Sequence, residues 1–247
     1  HPLPRTISDG DVSLYIAFTG SRFALHSSDT VAIEMGYDKK PIDDMLMFHL
    51  TFGKSVQDIS LNAIANLGYA EMSFPNSVFV GDTVSMISTV IGLKENSNGK
   101  SGVVYVHSIG VNQNGAEVLN FKRWVMVHKK DQTVLSGINE VPVFAKTTPI
   151  ADVINIPTIK TVDTDASGGK YFFEDYVAGE RLNHPEGITI DNSDHTLATK
   201  LYQNNAKVHF NDHMMKSTPM GQRLMYGGII ISTARAISFN GLQNAQW

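Results

Sequence analysis

The feature that most constrains this chain is a weak internal repeat. Residues 5–26 (RTISDGDVSLYIAFTGSRFALH) recur as residues 188–209 (ITIDNSDHTLATKLYQNNAKVH). A constant offset of 183 residues relates Thr6 to Thr189, Ile7 to Ile190, Asp11 to Asp194, Leu14 to Leu197 and His26 to His209. His1-Pro2 and His184-Pro185 fit the same shift. Self-similarity at one fixed spacing means a supersecondary unit used twice. Each copy ends in a histidine at the same place, so the expectation is a pseudo-two-fold molecule in which one site survives and its twin has decayed.

A chain of 247 residues suits one large domain or two small ones. With 42% hydrophobic and 18% charged residues it has the composition of a packed globular protein. A net charge of −4 and the lack of any long Lys/Arg run argue against a nucleic-acid partner. The absence of cysteine excludes disulfides and thiolate metal sites. No apolar run approaches the roughly 20 residues that span a bilayer, so no membrane partner is expected. The start lacks a basic, apolar, small-residue leader pattern, and a cytoplasmic location is the expectation.

The polar cluster Ser8-Asp9-Gly10-Asp11 suits a helix cap before Leu14–Phe18. After Pro41-Ile42, the segment Leu46–Phe52 is apolar nearly all round and should form a buried helix ending near Gly53. From Asn66 the texture changes to strands. Thr83–Leu93, Gly102–Asn112 and Glu117–His128 are β-branched and aromatic, with hairpin turns at Asn98-Gly99 and Asn114-Gly115. Trp124 and Phe121 are expected to fill the sheet core together. Residues 131–169, broken by Pro142, Pro149 and Pro157 and closed by Asp165–Gly169, look like a connector. Tyr171–Tyr176 reads as an edge strand, and the buried helix returns at Gly228–Phe239 with a stop at Asn240-Gly241.

The domains expected are therefore 1–130, a first repeat; 131–169, the connector; and 170–247, the start of a second repeat. Trp247 maps near Ile64, so the second copy has no counterpart of the three long strands. Such a half-unit would expose its apolar helix, which suggests a fragment missing roughly 15 residues before His1 and about 70 after Trp247.

A buried helix wrapped by antiparallel strands, duplicated in one chain, resembles the α+β double hotdog fold, here with its second hotdog truncated. The local motifs resemble the MaoC-like (R)-specific enoyl-CoA hydratases, which carry an Asp, four residues, then His before the central helix. The second copy reads Asn204–His209 and then Tyr226-Gly227-Gly228-Ile229; the first reads Ser21–His26 and then Pro41–Leu46. GSRFAL, KPID, FHLTFGKSVQDISLNAIANLGYA, VIGL, GVVYVHSIGVNQ, RWVMV, TKLYQNNAKVHFN and YGGIIISTARAISFNGLQNA resemble the mesaconyl-CoA hydratase (β-methylmalyl-CoA dehydratase) branch of that family. The resemblance implies a hydro-lyase adding water to an enoyl-CoA, with no cofactor because CoA belongs to the substrate, and a homo-oligomeric state, dimer or higher.

Hydrating an unsaturated thioester requires a base for water, a proton donor for the α-carbon and stabilisation of charge on the thioester oxygen. His209 suits the proton work, since an imidazole titrates near operating pH. Backbone N–H groups at the start of the second buried helix suit the oxyanion, and Gly227-Gly228 would let a carbonyl approach. Gly227 matches the family's oxyanion-hole glycine, and Tyr226 adjoins it. In the first copy Asp44-Met45 is set against Tyr226-Gly227, and a carboxylate there would oppose enolate formation. The first copy is therefore expected to be structural, with His26 a satisfied or surface relic. Asn204 stands where the family has an acid/base Asp, and would position water instead. The substrate's free carboxylate calls for arginine, with Arg235 and Arg223 as candidates. His209 and His213 have helical metal-ligand spacing, but no Glu follows the first His. The alternative readings are a hydratase of other acyl chains, a hotdog acyl-CoA thioesterase, and a non-catalytic acyl-CoA-binding module.

Overall fold

A segment with apolar side chains on every side must be enclosed, and the chain builds its first half around one. The computed structural model describes residues 3–61, 63–147, 149, 158, 165, 168–239 and 241–244. His1-Pro2, Pro157, Asn240, Trp247 and much of the expected connector lie outside the described residues. Helix α4, Asp44–Ser55, buries Leu46, Met47, Phe48, Leu50 and Phe52 together. It does not stop at Gly53 but runs into a π turn over Val56–Ser60. Gly53 marks a close approach: a Cβ there would sit 1.8 Å from the Tyr202 carbonyl oxygen.

The sheet that covers α4 contains β1 (Arg5–Thr6), β2 (Ala63–Ser73), β3 (Thr83–Glu95), β4 (Ser101–Val111) and β5 (Glu117–His128). Its order is β1-β3-β4-β5-β2, with the short β6 (Asn139–Glu140) also on β3, and every pairing is antiparallel. The two Asn-Gly turns join β3 to β4 and β4 to β5, with Gly99 and Gly115 at φ +66° and +78°. On β5 the inward row is Leu119, Phe121, Arg123 and Val125. Trp124 faces the other way, stacked on Phe144 with ring centroids 5.1 Å apart, so it does not join Phe121 in the core.

The repeat is visible in the positions where helices begin. Helices α1 (Asp9–Thr19), α2 (Ala24–Ser27), α3 (Asp29–Met35) and α4 are matched by α5 (Asn192–Leu201), α6 (Lys207–Phe210), α7 (Asp212–Met215) and α8 (Gly227–Ile237). Each pair starts at the offset seen in the sequence. The caps correspond too: Ser8 with Asp11 and Asp191 with Asp194 form capping boxes, and Ser28 and Asn211 accept N–H bonds from Val31 and Met214. Gly20 and Gln203 share a left-handed backbone, φ +68° and +53°.

The copies differ in their surroundings. Met47 and Phe48 of α4 are buried under the sheet, whereas their counterparts on α8, Ile230 and Ile231, are half exposed. Tyr171–Tyr176 is not a strand; Phe173–Asp175 forms a 3₁₀ turn and Phe173 is exposed, and among the described residues no strand pairs with it. Among the described residues no helix is long and apolar enough to cross a membrane.

The contact between Gly53 and Tyr202 ties the first copy's central helix to the backbone of the second. Gly53→Ala should therefore destabilise the protein by about 1–3 kcal/mol through overpacking, read as a lower urea midpoint at unchanged slope.

Candidate active site

A cavity of about 430 Å³ lies between the two copies. Phe52, Tyr69 and Arg123 line it from the first copy, and Asn204, His209 and Gly227 from the second. His209 sits on α6 with Nδ1 2.9 Å from the Leu224 carbonyl oxygen. A carbonyl only accepts, so Nδ1 carries the hydrogen and Nε2 keeps its lone pair. Burial lowers the imidazole below its usual value, which favours this neutral form. His26, the counterpart, makes the same bond to the Pro41 carbonyl at 3.1 Å and is buried, not a surface relic.

Tyr226 caps the N-terminus of α8, and its N–H donates to Nε2 of His195 at 3.2 Å. Gly227 and Gly228 follow as the first helical residues, whose N–H groups have no partner within a helix. A Cβ on Gly227 would meet nothing within 4 Å, so the backbone there is open to a ligand. Gly228 is constrained on its other side: a Cβ would lie 2.5 Å from His49 Cε1 and 2.4 Å from the Tyr226 ring.

Asn204 is buried, with Oδ1 accepting the Ala206 N–H at 3.4 Å and the side chain also bonded to the Tyr226 hydroxyl. That hydroxyl is 3.2 Å from Nδ1 of His49, whose Nε2 is 2.8 Å from Ser232 Oγ. Ser232 bonds to Tyr15, and Tyr15 donates to Asp43 at 3.3 Å. Arg235 closes the series with an ion pair to Asp43 at 2.5 Å. A buried hydrogen-bonded chain thus runs from the cavity to the first copy's helix start. His49 and Ser232 are themselves counterparts, 183 residues apart.

The helix starts show that Asp43-Asp44, rather than Asp44-Met45, corresponds to Tyr226-Gly227. Asp43 accepts the Met45 N–H at 2.8 Å and so consumes the amide equivalent to that of Gly228. Asp44 is pushed up to about 6 by burial and by the neighbouring Asp43 charge. Phe23 stands where the second copy has Ala206, and the Arg235 guanidinium lies 4.2 Å over its ring. The first copy's helix start is self-capped and filled.

Arg235 is therefore not a cavity residue: α8 turns that position toward Asp43. Arg223 is also outside the lining, with Nη1 bonded to Thr196 Oγ1 at 3.2 Å. His209 and His213 fall on α6 and α7, separated by the extended cap residue Asn211, and share no helical face. The residue that sequence reasoning missed is Arg123, fully buried in the cavity wall. No local signal singles it out, because strand alternation does not say which face of β5 turns inward.

A family model described as mesaconyl-CoA hydratase matches residues 23–240. The chain belongs to that family. A β-methylmalyl-CoA dehydratase of Chloroflexus aurantiacus is 49% identical over 247 residues, covering 99% of this chain and 70% of the relative. A mesaconyl-CoA hydratase of Cereibacter sphaeroides is 48% identical, covering 100% and 71%. The crystal structure of a putative MaoC domain protein dehydratase from Chloroflexus aurantiacus superposes with a TM-score of 0.95 at 49% identity, over 100% of this chain and 71% of that one. A Mycobacterium tuberculosis protein described as a double hotdog matches at TM-score 0.72 and 20% identity, over 98% and 73%. The fold of this mesaconyl-CoA hydratase family member is the double hotdog.

His49 and His195 are buried and held neutral, down to about 3 and about 4, chiefly by desolvation. The unfolded chain takes up their protons near pH 6.5 and the folded chain only well below it. Stability is therefore complete above pH 6.5 and falls on acidification, by about 2 kcal/mol for His49 between pH 6.5 and 5. Urea unfolding at the two pH values should show this loss, and His49→Gln, though weaker at neutral pH, should lose less on acidification.

Proposed function

We infer that the protein is a carbon–oxygen lyase that reversibly adds water across the double bond of mesaconyl-CoA, giving β-methylmalyl-CoA. The observation that carries this reading is that the unprotonated Nε2-bearing ring of His209 and the open helix start at Gly227 face one cavity. The names of the family and of its two close relatives give the substrate.

The thioester oxygen takes the Gly227 N–H, with that of Gly228 beside it, at the positive end of α8. Electron density is drawn from the double bond, and the β-carbon becomes electrophilic. Asn204, fixed by Ala206 and Tyr226, retains hydrogen-bonding capacity to hold a water. His209 Nε2 takes a proton as the water oxygen bonds to the β-carbon. The resulting imidazolium returns a proton to the α-carbon. One C–O and one C–H bond form, the π bond is lost, and the thioester is intact. The proton originates in the water and passes through His209, so this route calls on no cofactor. Dehydration is the same path reversed.

Incubation with mesaconyl-CoA should give a product heavier by one water, detected by mass spectrometry. Thiol release would identify a thioesterase, and binding without turnover an acyl-CoA-binding module; either overturns the reading. His209→Ala should lower kcat by about 10²–10⁴-fold, and Asn204→Ala by about 10²-fold. Because burial lowers the His209 pKa, the acidic limb of the kcat/KM profile, where this base takes up a proton, should fall below pH 6.5.

A further inference from the structure

Among the described residues Arg123 is the largest fully buried side chain, at 0% exposure, and it stands in the cavity wall. Nη2 donates to Ser55 Oγ at 2.9 Å and Nη1 to Ser60 Oγ at 3.4 Å, while the guanidinium carbon lies 4.5 Å from the Phe52 ring centre. Nε is buried and has no hydrogen-bond partner among the described residues. Among the described residues no carboxylate forms an ion pair with it, whereas Arg5 and Arg235 each have one. The other groups that face it electrostatically are the phenols of Tyr69 and Tyr226.

A guanidinium stays charged at neutral pH, and a charge buried without a counter-ion is costly. Ser55 and Ser60 fix the plane of the group, and the edge carrying Nε–H is the edge that a carboxylate engages with two parallel bonds. The CoA phosphates do not suit this position, since they lie a pantetheine arm away from the thioester. An acyl chain whose thioester oxygen is on Gly227 projects its far end into the same cavity.

We propose that Arg123 binds the free carboxylate of the acyl group, making the site selective for CoA thioesters whose acyl chain ends in a carboxylate. This rests on the hydratase reading for the placement of the thioester. The first copy then supplies the specificity of the reaction that the second copy performs. A monocarboxylic acyl-CoA would leave the guanidinium unpaired, and sites built to bond a polar group reject analogues lacking it strongly.

Succinyl-CoA and butyryl-CoA, which have no double bond to hydrate, separate binding from chemistry. Calorimetry should show tighter binding of succinyl-CoA by the wild type, and Arg123→Met should reduce that preference by about 100-fold or more. Arg123→Lys, which keeps the charge and loses the fork, should retain part of it and provides a second variant if the methionine protein does not fold. In parallel, the kcat/KM ratio for mesaconyl-CoA over crotonyl-CoA should fall with the binding preference. A wild type without preference, or variants that weaken both ligands by the same factor, overturns the proposal even if mesaconyl-CoA is hydrated. Loss of preference in the variants of a protein that hydrates no enoyl-CoA upholds the carboxylate site and sinks the hydratase reading.

Discussion

The bond between His49 and Ser232 is the contact on which the two halves converge. Both residues occupy the same position in their copies, so the bond lies where the central helices α4 and α8 meet across the pseudo-two-fold axis. Polar groups at such a depth are tolerated only when each has a partner. Here the satisfaction is achieved serially, through Tyr226 and Asn204 on one side and Tyr15, Asp43 and Arg235 on the other. The orientation of Asn204 in the cavity is therefore fixed by a chain whose far end is an ion pair at the opposite copy's helix start. Packing, polar satisfaction and site geometry are one constraint.

That chain also divides the labour. At α4 the Asp43 carboxylate occupies a first-turn amide and draws in Arg235, and Phe23 fills the adjoining space. At α8 the counterparts of Asp43, Asp44 and Phe23 are Tyr226, Gly227 and Ala206, and a cavity remains. Both histidines keep the same bond to a backbone carbonyl, so the difference between an open and a closed helix start comes from the residues around the imidazole rather than from the imidazole itself.

The repeat and the long strands were legible because each is written locally: capping residues at matched positions, Asn-Gly turns, and runs of β-branched residues. That His209 and Gly227 line one cavity was legible in the same local motifs. Arg123 was not, because alternation along RWVMV leaves open whether the arginine or Trp124 faces inward, and only the register against β2 and β4 decides it. Arg235 is one of two candidates for the substrate's carboxylate because a charge within an apolar helix is unusual, and the structure pairs it with Asp43, 192 residues away. Tyr171–Tyr176 has the residues of a strand but, among the described residues, no strand to pair with. Gly53 looked like a helix stop because the chain that presses on it comes from the other repeat.

The pairing of Arg235 with Asp43 has a counterpart across the axis. Shifted by the repeat, the same two positions are Phe52 and Tyr226, whose rings stack 6.1 Å apart at 19°. Two identical subunits would be obliged to carry the same pair on both sides. Joining the copies in a single polypeptide releases that obligation, and a plug on one flank can coexist with a binding wall on the other.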